Sequence, residues 1–239
     1  LQTGFLTCRQ DMLSMLEDMF NSCVEQTRPL LTKIENVYDQ LQYVQKILQS
    51  DSEIEYSFQM TPCMTALLSK DFLDKYVNPQ LPSRQAFIEH FWRHVQNTYE
   101  RHIQRNHTLI FSEEGICEFL RTGHLEEYPS YIYTPPAKED RITLIEALTK
   151  ELRSHTYHMR MLKKSIGSVR NGANIYITSS AGYLLFTPLD SGTPIYLNIE
   201  ETGLLMTFLD FFGSMDESLF YSSEEAVSRL EKLLRTYSS

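Results

Sequence analysis

Residues 174–187 read NIYITSSAGYLLFT, and the architecture turns on them. Asn174 to Thr178 and Tyr183 to Thr187 are short runs rich in β-branched and aromatic side chains, and Ser179-Ser180-Ala181-Gly182 between them has the composition of a hairpin turn. A second turn, Asp190-Ser191-Gly192, leads into Ile195 to Ile199, and upstream His158 to Lys163 reads as a further strand. Ile195, Leu197 and Ile199 alternate with Tyr196, Asn198 and Glu200, which predicts one core face and one solvent face. The expectation is an α+β fold: a mostly helical N-terminal part, then a small antiparallel meander packed with helices on one face.

Helical periodicity dominates the flanks. Met12, Met15, Leu16, Met19, Phe20, Cys23 and Val24 mark one helix, which Pro29 interrupts. Asp51 to Tyr56 is polar and reads as a loop, and short helices follow up to Tyr76. Ser83 is a candidate N-cap for a helix whose buried face is Phe87, Ile88, Phe91, Trp92, Val95, Tyr99 and Ile103. Beyond the strand Thr108 to Phe111, Ser112 and Gly123 bracket another helix with Glu113 and Glu114 in its first turn. Ala137 to Arg153 is a helix with Ile142, Ile145, Leu148 and Leu152 inward. Two helices close the chain, the second opened by the capping box Ser222-Ser223-Glu224-Glu225. The division this predicts is an all-helical part over 1–106 and an α+β part over 107–239.

Charge narrows the function. The chain has 239 residues and a net charge of −9, and the 58 residues from Asn171 through Ser228 hold no lysine or arginine. A surface built to grip nucleic acid sets many cations against phosphates, and this segment has none to offer. No apolar run reaches membrane-spanning length, and four cysteines without short spacing give neither a disulfide framework nor a metal set. A cytoplasmic protein that uses no metal, cofactor or membrane is the expectation.

The constellations with chemistry are few. Leu30, Ile34, Val37, Leu41, Val44 and Leu48 step by four and three, either as a helix packed on its own domain or as a homodimer seam. His90 and His94 stand four apart, but Phe91 occupies the place a zinc-protease glutamate needs. The cations cluster in one place: His158, Arg160, Lys163, Lys164 and Arg170, with Arg153 and His155 just before them. They read as an anion or effector site, or as a charged edge strand that resists pairing. Ser179 and Ser180 lack the Gly-x-Ser-x-Gly setting of a hydrolase nucleophile, and Gly167 to Gly172 is no P-loop.

The runs HTLIFSEEGICEFLRTGHLEEYP (107–129), RITLIEALTKELRSHTYHMRMLK (141–163), NIYITSSAGYLLFTPLD (174–190) and YSSEEAVSRLEKLL (221–234) together resemble the non-DNA-binding part of bacterial Cro/repressor-type helix-turn-helix regulators. The resemblance implies a region that senses and dimerises, with DNA reached through a head that this chain lacks and that would precede Leu1. The expected function is a non-catalytic regulatory module, a homodimer answering a small-molecule or protein effector. The alternatives are an enzyme with a site around 153–170 and an adaptor that binds only protein.

Overall fold

The computed structural model describes residues 31–34, 37–49, 54–59, 67–104, 106–125, 131–155, 158–164, 173–186 and 195–238. Strand β1 (Leu31–Ile34) and helix α1 (Val37–Gln49) lead to β2 (Ile54–Gln59), α2 (Lys70–Tyr76) and α3 (Arg84–Gln104). Then come β3 (Asn106–Ser112), α4 (Glu113–Thr122), α5 (Lys138–Ser154) and β4 (His158–Leu162). The hairpin β5 (Ala173–Thr178) and β6 (Gly182–Phe186), β7 (Ile195–Ile199), α6 (Thr202–Gly213), a 3-10 turn at Glu217–Leu219 and α7 (Ser223–Ser238) complete the order.

The strands form one mixed seven-stranded sheet, in the order β1-β7-β6-β5-β2-β3-β4. Strands β2, β3 and β4 run parallel, joined through helices, while β5, β6, β7 and β1 pair antiparallel. This overturns the expected small meander with helices on one face. The hairpin is present as β5 and β6, and it extends a parallel half absent from that expectation. The decisive strand is β2, Ile-Glu-Tyr-Ser-Phe-Gln, at the centre of the sheet where a loop was expected over 51–56. The division at 106/107 runs through this sheet, since β1 and β2 precede it, and residues 31–239 form one compact unit.

Both faces are covered. On one, Phe58, Ile110, Leu162, Ile177 and Ile199 pack against Leu205 and Phe212 of α6 and against Met215 and Phe220. On the other there are two apolar clusters. Leu109, Phe111, Met159 and Met161 of β3 and β4 join α2 to α5 and α7. Tyr176, Tyr183, Leu185 and Tyr196 of β5 to β7 pack under Val44 and Ile47 of α1. Tyr196, expected outward, is therefore only 5% exposed.

Local chemistry sets the element ends. Ser112 Oγ accepts from Gly115 N at 3.1 Å and starts α4, and Gly123 ends it in the left-handed region at φ 70. A Cβ there would meet Arg141 Nε at 2.7 Å, and that side chain donates to the Leu120 and Arg121 carbonyls that the helix end leaves open. The capping box holds as read: Ser222 N donates to Glu225 Oε2 at 3.0 Å and Glu225 N to Ser222 Oγ at 3.2 Å. Ser83 does not cap α3; its φ of 54 is outside the extended conformation an N-cap takes.

Candidate functional site

Alternation on β2 and β5 builds the site. Three residues of each strand share the face under α3: Glu55, Ser57 and Gln59, and Asn174, Tyr176 and Thr178. The antiparallel register sets them side by side as Glu55–Thr178, Ser57–Tyr176 and Gln59–Asn174. All six carry polar groups and none is more than 5% exposed. Strands covered on both faces are ordinarily apolar on both, so a polar seam through the middle of such a sheet calls for an explanation.

Helix α3 answers the seam with polar residues of its own. His94, Thr98 and His102 recur at four-residue spacing, so they share one face of the helix, and all three are buried. Phe87, Ile88, Phe91 and Val95 fill the apolar core as expected. Trp92 is only partly buried, and Ile103, expected inward, is 41% exposed. Of the eleven buried polar or ionisable residues among those described, only Ser112 and Thr149 lie outside this layer. The polar groups are thus gathered between α3 and the β2/β5 pair.

At one end the side chains form a relay. Tyr176 Oη donates to Glu55 Oε2 at 2.9 Å, and His102 Nε2 lies 3.3 Å from the same hydroxyl. With the hydroxyl proton committed to Glu55, Nε2 of His102 is the donor. The imidazoles of His102 and His107 stack at 3.7 Å between centroids with planes 8° apart, and the Tyr176 ring lies 5.9 and 5.7 Å from them. Burial holds all three histidines neutral. It lowers His94 to about 4, with the charge of His90 adding to the effect, and His102 to about 3, with His94 adding. His107 also falls well below its ordinary value, first by burial and then through His102 and His158. The layer offers hydrogen-bond donors and acceptors in a low-dielectric setting. Among the described residues no three His, Cys, Asp or Glu side chains form a metal set.

The sequence-predicted cluster sits elsewhere, on edge strand β4. His158 is exposed, and Arg160 follows on the same face of the strand. The Arg160 guanidinium lies 3.7 Å over the Phe220 ring and 2.6 Å from Glu217 Oε2. Lys163 and Lys164 are exposed just beyond the strand, and Arg170 lies outside the described residues. The edge is partly closed by 219–221: Lys163 N donates to Leu219 O, Tyr221 N to Met161 O, and Leu162 bridges Phe220. Of the proposed seam, Ile34 pairs with Tyr196 in β1, so no single helix carries the whole stripe. Val44 is buried in the cluster under α1. Leu30 lies outside the described residues, as do the side chains of Val37, Leu41 and Leu48.

Glu55, Tyr176, His102, His107 and Asn174 were not singled out by the sequence reading. Polar residues at every second position of both strands, with His94, Thr98 and His102 at helical spacing, are the signal that points to them.

No protein-family model matches this chain, so the Cro/repressor resemblance finds no support there, and the search of curated proteins found no relative. Among solved structures the chain is similar to TrmBL2, an archaeal chromatin protein whose structure shows a novel mode of DNA binding. The likeness has a TM-score of 0.38 and 7% identity, and covers 85% of this chain and 59% of that one. This chain therefore spans less than two thirds of that neighbour, and a likeness this slight bears on neither family nor function. Among the described residues no helix is long and apolar enough to cross a membrane.

Proposed function

We propose that this chain is the non-catalytic regulatory module of a transcriptional regulator, acting as a homodimer, and that the polar layer under α3 receives its effector. One observation carries the reading: all six inward positions of the β2/β5 pair bear polar groups and are buried. Polar groups removed from water are costly unless paired, and apolar residues at the same positions would pack the sheet with no such cost. A layer of this kind is intelligible as a set of contacts for a small molecule, and effector binding there would bias the placement of α3 on the sheet. The net charge of −9 and the cation-free 58-residue stretch support assigning DNA contact to a segment other than this one. Val44 is buried within one chain and Ile34 lies in strand β1, which leaves Leu30, Val37, Leu41 and Leu48 as the seam positions to test by substitution.

The test is a thermal-shift screen of the full chain against neutral, anionic and cationic metabolites, repeated on Glu55→Gln and on a Lys163→Glu/Lys164→Glu double variant. The proposal expects a compound whose stabilisation is lost in Glu55→Gln and kept in the double variant. Stabilisation lost only in the double variant would move the effector to the β4 edge and end this reading.

A further inference from the structure

We infer that the effector is a neutral planar molecule presenting an acceptor beside an N–H donor on one edge, a nucleobase or a primary carboxamide, gripped by Asn174. This rests on the polar layer being the effector site. Asn174 is 1% exposed, and neither its Oδ1 nor its Nδ2 has a hydrogen-bond partner among the described residues. Its cross-strand neighbours are Gln59 on β2 and Leu185 on β6. The row across the sheet at this level runs Met161, Phe111, Gln59, Asn174, Leu185, Tyr196, all buried. Two carboxamides stand in the middle of a row that is otherwise apolar or aromatic. Removing an unpaired buried polar group in favour of an apolar one of similar size is ordinarily neutral or stabilising. Packing therefore does not account for the asparagine, and a binding role does.

Three features fix the ligand class. The side-chain amide sets a donor and an acceptor side by side in one plane, which matches the N6/N7 edge of adenine or the edge of a primary carboxamide. The six inward residues of β2 and β5 include no lysine, arginine or histidine to hold an anion. Phe111 in the same row and Tyr176 two residues along the strand give the position aromatic neighbours, the Tyr176 ring stacking on His107 and Tyr183. The place also fits. Gln59 ends β2, whose chain continues to β3 on one side while β5 lies on the other. Open α/β sheets take their ligands at the carboxyl ends of parallel strands, and Gln59 stands at that end of β2 beside the amino end of antiparallel β5.

The experiment is isothermal titration of the full chain at neutral pH with adenine, adenosine and nicotinamide in separate arms, which tells a nucleobase from a carboxamide. Wild type is expected to bind at least one. Asn174→Leu is expected to keep or raise the urea midpoint and to weaken binding roughly 10- to 100-fold. Arg160→Ala is expected to bind as wild type. If Asn174→Leu does not fold, Asn174→Ser reads the same loss. No heat with any of the three compounds, or undiminished binding by the Asn174 variants, overturns the inference. A compound of another class that binds in a Glu55-dependent way would leave the effector layer standing and remove this ligand assignment alone.

Discussion

Tyr176 donates its hydroxyl proton to Glu55 at 2.9 Å across 121 residues of sequence, and His102 reaches the same oxygen at 3.3 Å. One atom therefore ties the central strand β2 to β5 and to the covering helix. Tyr176→Phe leaves Glu55 and His102 each short of that contact in a buried site, and a stability loss of about 1–3 kcal/mol is expected from urea unfolding. Tyr43→Phe, whose half-buried hydroxyl donates to the Ile199 carbonyl at 3.3 Å, is expected to cost about 1 kcal/mol. Equal losses for the two would mean that the relay is no more than an ordinary hydrogen bond.

The buried histidines of α3 make stability depend on acid. His94 and His102 are lowered by burial to about 4 and about 3, so the unfolded chain takes up their protons first. Their neutral burial is fully compatible with the fold above pH 6.5, and stability falls as pH drops below that value toward 4 for His94 and 3 for His102. Each histidine contributes a slope of about 1.4 kcal/mol per pH unit in that window. Measured by urea unfolding between pH 7 and pH 5, His94→Asn is expected to flatten the slope by about that amount. An unchanged slope would place His94 in contact with water.

Much of this fold could be read from residues, and the failures have a common cause. Ser112, Gly123 and the Ser222–Glu225 box act locally, through hydrogen bonds within three or four residues, and stand where they were expected. The β5–β6 hairpin is local as well. Strand β2 is not local. Its neighbours are β3 and β5, about 50 and 120 residues downstream, and its alternation marks only the α6 face, through Tyr56 and Phe58, while Glu55, Ser57 and Gln59 are polar and hide the other buried face. In α3 the apolar stripe Phe87, Phe91, Val95 gives way to His94, Thr98, His102, and a reading by hydropathy turns the second half of that helix the wrong way. The candidate site lies where polar strand meets polar helix, which is why hydropathy hides it.

Helix α1 is held through Ile47, fully buried against the β5–β7 cluster. Ile47→Ala is expected to cost about 2–5 kcal/mol in urea unfolding, the range for a core truncation that leaves a cavity. A loss under 1 kcal/mol would show α1 to be only loosely seated on the sheet.

Arg160 distinguishes the edge strand from the effector layer. Its guanidinium lies 3.7 Å over the Phe220 ring, a contact worth about 0.5–2 kcal/mol. Arg160→Ala is expected to lower stability by that amount while leaving effector binding unchanged. Loss of binding without loss of stability would return the site to the β4 cations.

Backbone hydrogen exchange, with and without a compound that raises the melting temperature, tests the effector layer most directly. The account predicts that bound compound slows exchange in residues 94–102 of α3 and 174–178 of β5, with 158–164 unchanged. Protection confined to 158–164, or absent from both α3 and β5, would contradict it.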